Sequence, residues 1–98
     1  MPYPLTVFES LDRDLLNRHE QSMQFTFEPG VLSKKVKLLM AMAIDSALGT
    51  PHGVKSLAEQ AIEAGATKEE VAETVRVAVY VGGAFSIYNL GRGLDELF

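Results

Sequence analysis

Two side chains near the middle of the chain carry groups that move protons at ordinary pH. His52 stands in the stretch GTPHGV, where Thr50 and Pro51 read as the cap and the first-turn proline of a helix. An imidazole titrates near neutrality, so at a helix N-terminus it can serve as a general acid or base, or donate to a carboxylate on a substrate. The same ring can equally be a turn histidine hydrogen-bonded to backbone. Asp45 lies seven residues earlier, late in an otherwise apolar helix, where the negative end of the helix dipole disfavours a carboxylate. Either a cation such as Arg76 or Lys55 neutralises it, or it faces a pocket near His52 across the turn. Further along, Tyr88, Asn89 and Arg92 fall within about one helical turn and can share a face that receives an anion, although surface helices also carry such groupings.

Composition removes other chemistry. The chain has no cysteine, so disulfides, thiolate metal sites and peroxidatic thiols are excluded. His19, among Arg18 and Glu20, reads as solvent-exposed. Two histidines in distant segments without clustered carboxylates argue against a metal site. The glycines of GGAFSIYNLGRG follow no strand and match neither a phosphate loop nor a dinucleotide turn, so no cofactor is expected. A net charge of −4 disfavours nucleic acid as a partner, and Lys34, Lys35 and Lys37 read as the solvated start of a helix. No apolar stretch approaches the roughly 20 residues needed to cross a bilayer. MPYPLTVFES lacks a basic segment followed by an apolar block, so the cytoplasm is the expected location.

The elements that must position these groups are helices. Ninety-eight residues, 47% hydrophobic and 22% charged, suit one domain, 1–98. From about Pro4 to Gln24, Val7, Phe8, Leu11, Leu15 and Leu16 recur at spacings near three and four, which predicts one or two amphipathic helices. FTFEPG alternates like a short strand but meets Pro29 and Gly30 at once, and is read as a connecting loop. Ser33 can cap the next helix, whose apolar stripe is Leu32, Val36, Leu39, Met40, Ala43 and Ile44, widened by Leu38 and Met42. A helix apolar on more than one face must be enclosed by other helices or by other subunits. Gly49 stops it. Val54, Leu57, Ala58, Ala61 and Ile62 then repeat at helical spacing up to Gly65, which suits a left-handed C-terminal position. Thr67 with Glu70 forms a capping box, and with EEVAET it favours helix over strand for the valine-rich VRVAVYV. Val71, Val75, Ala78 and Val79 mark the buried side of that helix. Gly82 and Gly83 weaken or bend it before a last helix containing Phe85, Leu90, Leu94 and Leu97.

This order of elements, and above all AIEAGATKEEVAETVRVAVYVGG, resembles the carboxymuconolactone decarboxylase superfamily, over about residues 27 to 95. GTPHGV is also similar to the glycine and proline turn of its decarboxylase branch. The resemblance implies an all-α, alkylhydroperoxidase-D-like (AhpD-like) bundle of about five to six helices. It also implies a homotrimer or homohexamer. In the peroxidase branch a glutamate precedes a Cys-x-x-Cys pair and a histidine follows. Carried over by position, these fall on Leu38, Thr50 and Gly53, and Leu57, so that thiol chemistry is lost. The decarboxylase branch has a histidine where Leu57 stands. The resemblance places His52 between the two lost cysteines, in the turn on which the superfamily builds its site, with Thr50 and Leu57 beside it. It lends some support to Asn89 as well, with Arg92 the cation of the last helix.

Two functions compete. In one, the chain is a non-catalytic homo-oligomer that binds a small acidic or hydrophobic ligand or serves a partner protein, because leucines where polar groups belong make the pocket apolar. In the other, it is a cofactor-free, decarboxylase-like lyase acting on a small carboxylated lactone or related acid, with His52 as base or acid and Asp45 beside it.

Overall fold

The computed structural model describes residues 5–98. The start of the first apolar segment, read at Pro4, lies outside the described residues. A 3-10 turn, Leu5–Val7, leads into α1 (Phe8–Leu11), and then come α2 (Arg13–Phe27), α3 (Lys34–Leu48), α4 (Pro51–Glu63), α5 (Lys68–Gly82) and α6 (Ala84–Leu94). Among the described residues the protein is all-α, with six α-helices.

Local chemistry accounts for most of these boundaries. Asp12 opens α2 by accepting from the Leu15 amide at 3.0 Å, and Ser33 opens α3 by accepting from the Val36 amide at 3.2 Å. Thr67 Oγ1 accepts from the Glu70 amide at 3.1 Å while Glu70 Oε1 accepts from the Thr67 amide at 2.8 Å. That reciprocal pair holds the valine-rich segment helical. Gly65 (φ 103°) and Gly83 (φ 77°) take the positive angles that let the chain leave α4 and α5. One boundary differs from the expectation. The residues FTF belong to α2, not to a loop. Thr26 Oγ1 donates back to the Ser22 carbonyl at 2.7 Å, and nothing interrupts the helix until Glu28, whose extended backbone (ψ 132°) is what a following proline imposes.

Helix α3 packs on α4, α5 and α6, and α6 also packs on α4 and α5, while α2 meets this bundle mainly along α3. Leu38, Leu39 and Met42 of α3, Val54, Ala58 and Ala61 of α4, Val71 and Ala78 of α5 and Leu90 of α6 form the core. The buried face of α3 is therefore rotated from its expected apolar stripe, of which Leu39 and Ala43 reach the core. Val36, Met40 and Ile44 are exposed, and Leu38 and Met42, which appeared to widen the stripe, are its centre. Both faces are apolar, so only the positions of α4, α5 and α6 select between them. On the last helix Phe85 is likewise exposed, and Gly93 makes the close contact. A methyl on Gly93 would stand 2.6 Å from the Pro51 carbonyl oxygen, so α6 crosses the first turn of α4 at backbone distance.

The basic cluster is not simply solvated. Lys35 Nζ pairs with Glu70 at 2.8 Å, and Lys37 Nζ donates to the Glu28 carbonyl at 2.7 Å. The Lys35 hydrogen bond, helped by the Thr67 amide, holds the Glu70 carboxyl below its usual range.

The folded chain exposes 6839 Å², whereas a compact monomer of 10.7 kDa exposes about 5,500 Å². Its radius of gyration, 14.2 Å, also exceeds the roughly 12.5 Å of a compact domain this long. Much of the excess is apolar. Val77, Tyr80 and Val81, spaced to share one face of α5, are all largely exposed, as is Phe25 on α2.

Candidate functional site

Asp45 is seated by glycine. It lies in the last turn of α3, where its carbonyl accepts from the Gly49 amide at 2.7 Å and closes the helix. Its side chain reaches from there to the start of α4. A methyl on Gly49 would fall 2.0 Å from Oδ1, and a methyl on Gly53 would fall 2.0 Å from Oδ2. The carboxylate thus occupies space that any larger residue at either position would claim. The positive end of the α4 dipole offsets the unfavourable end of α3. Neither proposed cation reaches it. Lys55 is paired with Glu96, which raises the Lys55 pKa and lowers that of Glu96, and Arg76 forms no ion pair among the described residues. Half-buried, Asp45 takes part in no side-chain hydrogen bond or ion pair among those residues.

The carboxylate lines an open groove of about 460 Å³ along α3 and α4. Phe27, Ala41, Ile44, Leu48 and Leu57 make its apolar walls, Gly53 lies beside the carboxylate, and Ser56 adds a hydroxyl. Asp45 is the sole ionisable side chain in the lining. A larger hollow of about 670 Å³ lies near the end of α2, where Met23, Phe25, Phe27 and Pro29 mix with three glutamines and Glu28 and Lys34 offset each other in charge.

Among the residues read from sequence, Asp45 and Leu57 come together in this groove. His52 does not join them: it is exposed and lines no part of the groove. Thr50 spends its hydroxyl on α4, accepting from the Gly53 amide at 3.3 Å. Tyr88 and Arg92 share an exposed face of α6, but Asn89 does not join them. Asn89 points inward and donates from Nδ2 to the Ser46 carbonyl at 3.0 Å, tying α6 to α3. Arg92 is exposed, its guanidinium 5.7 Å from the centre of the Tyr88 ring.

Sequence reading missed Ser56, Phe27, Ile44 and Leu48 as lining residues. Ile44, Leu48 and Asp45 could have been grouped by their three- and four-residue spacing on α3. Phe27 was hidden by the assignment of FTF to a loop. Also unread was the buried polar strip of Ser46, Ser86 and Asn89 between α3 and α6, in which the Ser86 hydroxyl has no partner among the described residues.

The model of the carboxymuconolactone decarboxylase family matches residues 13–87. Among solved structures, the chain is similar to the apo form of a carboxymuconolactone decarboxylase family protein from Legionella pneumophila. The identity is 31% and the TM-score 0.86, over 93% of this chain and 81% of that one. It is also similar to a protein from Thermotoga maritima, at 25% identity and TM-score 0.76, over 95% of this chain and 90% of that one. No curated protein matches the chain.

Proposed function

The chain belongs to the carboxymuconolactone decarboxylase family, and from that premise we propose that it is a homo-oligomeric member without a thiol, which binds a small hydrophobic ligand between α3 and α4. The observation that carries this reading is the groove of about 460 Å³ whose walls are five apolar side chains, Leu57 among them. Apolar walls with a few placed polar groups are what a binding site for a small molecule requires. The lyase reading through His52 lacks comparable support, because the exposed ring borders no part of that groove.

A neutral probe, 2-phenylethanol, is expected to bind the wild-type protein in a calorimetric titration. Ser56 is exposed at the groove, so Ser56→Phe fills the space without burdening the core and is expected to abolish that binding. His52→Ala is expected to leave it unchanged. Binding that survives Ser56→Phe, or no binding by the wild type, would count against the site.

Assembly rests on surface. The chain exposes about 1,300 Å² more than a compact monomer of its mass, and a standard interface removes about 800 Å² per partner. The apolar face of Val77, Tyr80 and Val81 on α5 supports closure against other copies, as a trimer or hexamer. Light scattering at micromolar concentration is expected to return a multiple of 10.7 kDa, and a stable monomer would refute the assembly.

A further inference from the structure

From the groove reading above, on which this step rests, we infer that the ligand is a hydrophobic primary amine, held through its ammonium group by Asp45. Every other side chain lining the groove is uncharged, so the site has a net negative charge and no cation to receive an acid. The Asp45 carboxylate is half-buried and has neither an ion-pair nor a hydrogen-bond partner among the described residues. A partly desolvated anion gains most from a compact opposite charge brought within hydrogen-bond reach. An ammonium is such a charge, with three donors, and the Ser56 hydroxyl in the same lining offers a further acceptor. The apolar walls of Phe27, Ile44, Leu48 and Leu57 would then cover the hydrocarbon part. A carboxylate ligand brought to the same place meets like charge, which disfavours ionisation of both groups. The acidic ligands considered from sequence are therefore disfavoured at this site.

Gly49 and Gly53 give the inference its structural basis. A methyl on either would come within 2.0 Å of a carboxylate oxygen, so the two glycines leave the side chain room to lie across the helix junction at the groove.

Three probes with one skeleton separate charge from hydrophobic fit: 2-phenylethylamine, 2-phenylethanol and 3-phenylpropionate, titrated calorimetrically at neutral pH into the intact protein. The amine is expected to bind about tenfold or more tighter than the alcohol, the range of a charge-assisted hydrogen bond, and the carboxylate more weakly than either. Asp45→Asn, nearly isosteric, is expected to remove the advantage of the amine and leave the alcohol unchanged. The wild-type ranking needs no variant, so the inference stays falsifiable if Asp45→Asn folds poorly. Equal affinity for amine and alcohol overturns the role of Asp45 while leaving the groove reading intact. So does an amine preference that persists in Asp45→Asn. Failure of all three probes to bind overturns both.

Discussion

Gly93→Ala is expected to destabilise the protein by about 2 kcal/mol, whereas Gly91→Ala, on the same helix, is expected to stabilise it by up to about 1 kcal/mol. Alanine is the better helix former at both positions, so intrinsic propensity pushes both variants the same way. Packing separates them. At Gly91 an added methyl meets nothing within 4 Å, and only the propensity gain remains. At Gly93 the methyl lands 2.6 Å from the Pro51 carbonyl oxygen and 2.7 Å from Val54 Cγ1. The first of these is backbone in the opening turn of α4 and cannot swing aside. Val54 is fully buried among other core residues and has no room to move into. The helix α6 must therefore lift from α4, weakening contacts that include Leu90. Urea denaturation of both variants measures the difference. Stabilisation of both variants would show that the α4–α6 contact is looser than the geometry requires.

Thr50→Cys with Gly53→Cys is expected to show no more hydroperoxide turnover than the unmodified protein, although it restores the Cys-x-x-Cys spacing of the related peroxidases. Three obstacles stand in its way. Leu38 and Leu57 replace the carboxylate and imidazole that the resemblance assigns to thiolate formation and proton relay, and Leu38 is enclosed in the core. The new Cβ at position 53 would fall 2.0 Å from Asp45 Oδ2, so the thiol and the carboxylate contend for one place. Where both remain close, the negative charge disfavours a thiolate and raises the thiol pKa, opposite to what a nucleophile needs. The first substitution also removes the Thr50 cap from α4, a loss of about 1 kcal/mol. A dithiol-coupled assay tests this, and turnover clearly above that of the wild type would show that Asp45 does not obstruct the chemistry.

The residues that start and stop helices act over three or four positions, and they were legible for that reason. Ser33, Thr50 with Pro51, Thr67 with Glu70, and Gly65 each do in the structure what their types and spacing predict. The absence of cysteine settles the thiol question with no coordinates at all. Element order and the long segment around the capping box were enough to indicate the family, because a fold's sequence of caps, glycines and apolar repeats is itself linear.

The tertiary structure decided whatever depends on residues far apart in the chain. Helix α3 is apolar on two faces, and it buries Leu38 and Met42 rather than Val36 and Ile44 because α4, α5 and α6 stand on that side. Asn89 looked like a surface ligand until its partner, the Ser46 carbonyl 43 positions away, became part of its surroundings. Lys55 was as plausible a partner for Asp45 as any cation nearby, yet Glu96 holds it from beyond α6. His52 and Asp45 both flank the α3–α4 turn, but only Asp45 enters the groove. A helix spaces its side chains about 100° apart, so neighbouring positions diverge and the packing of other helices determines which of them meets a cavity.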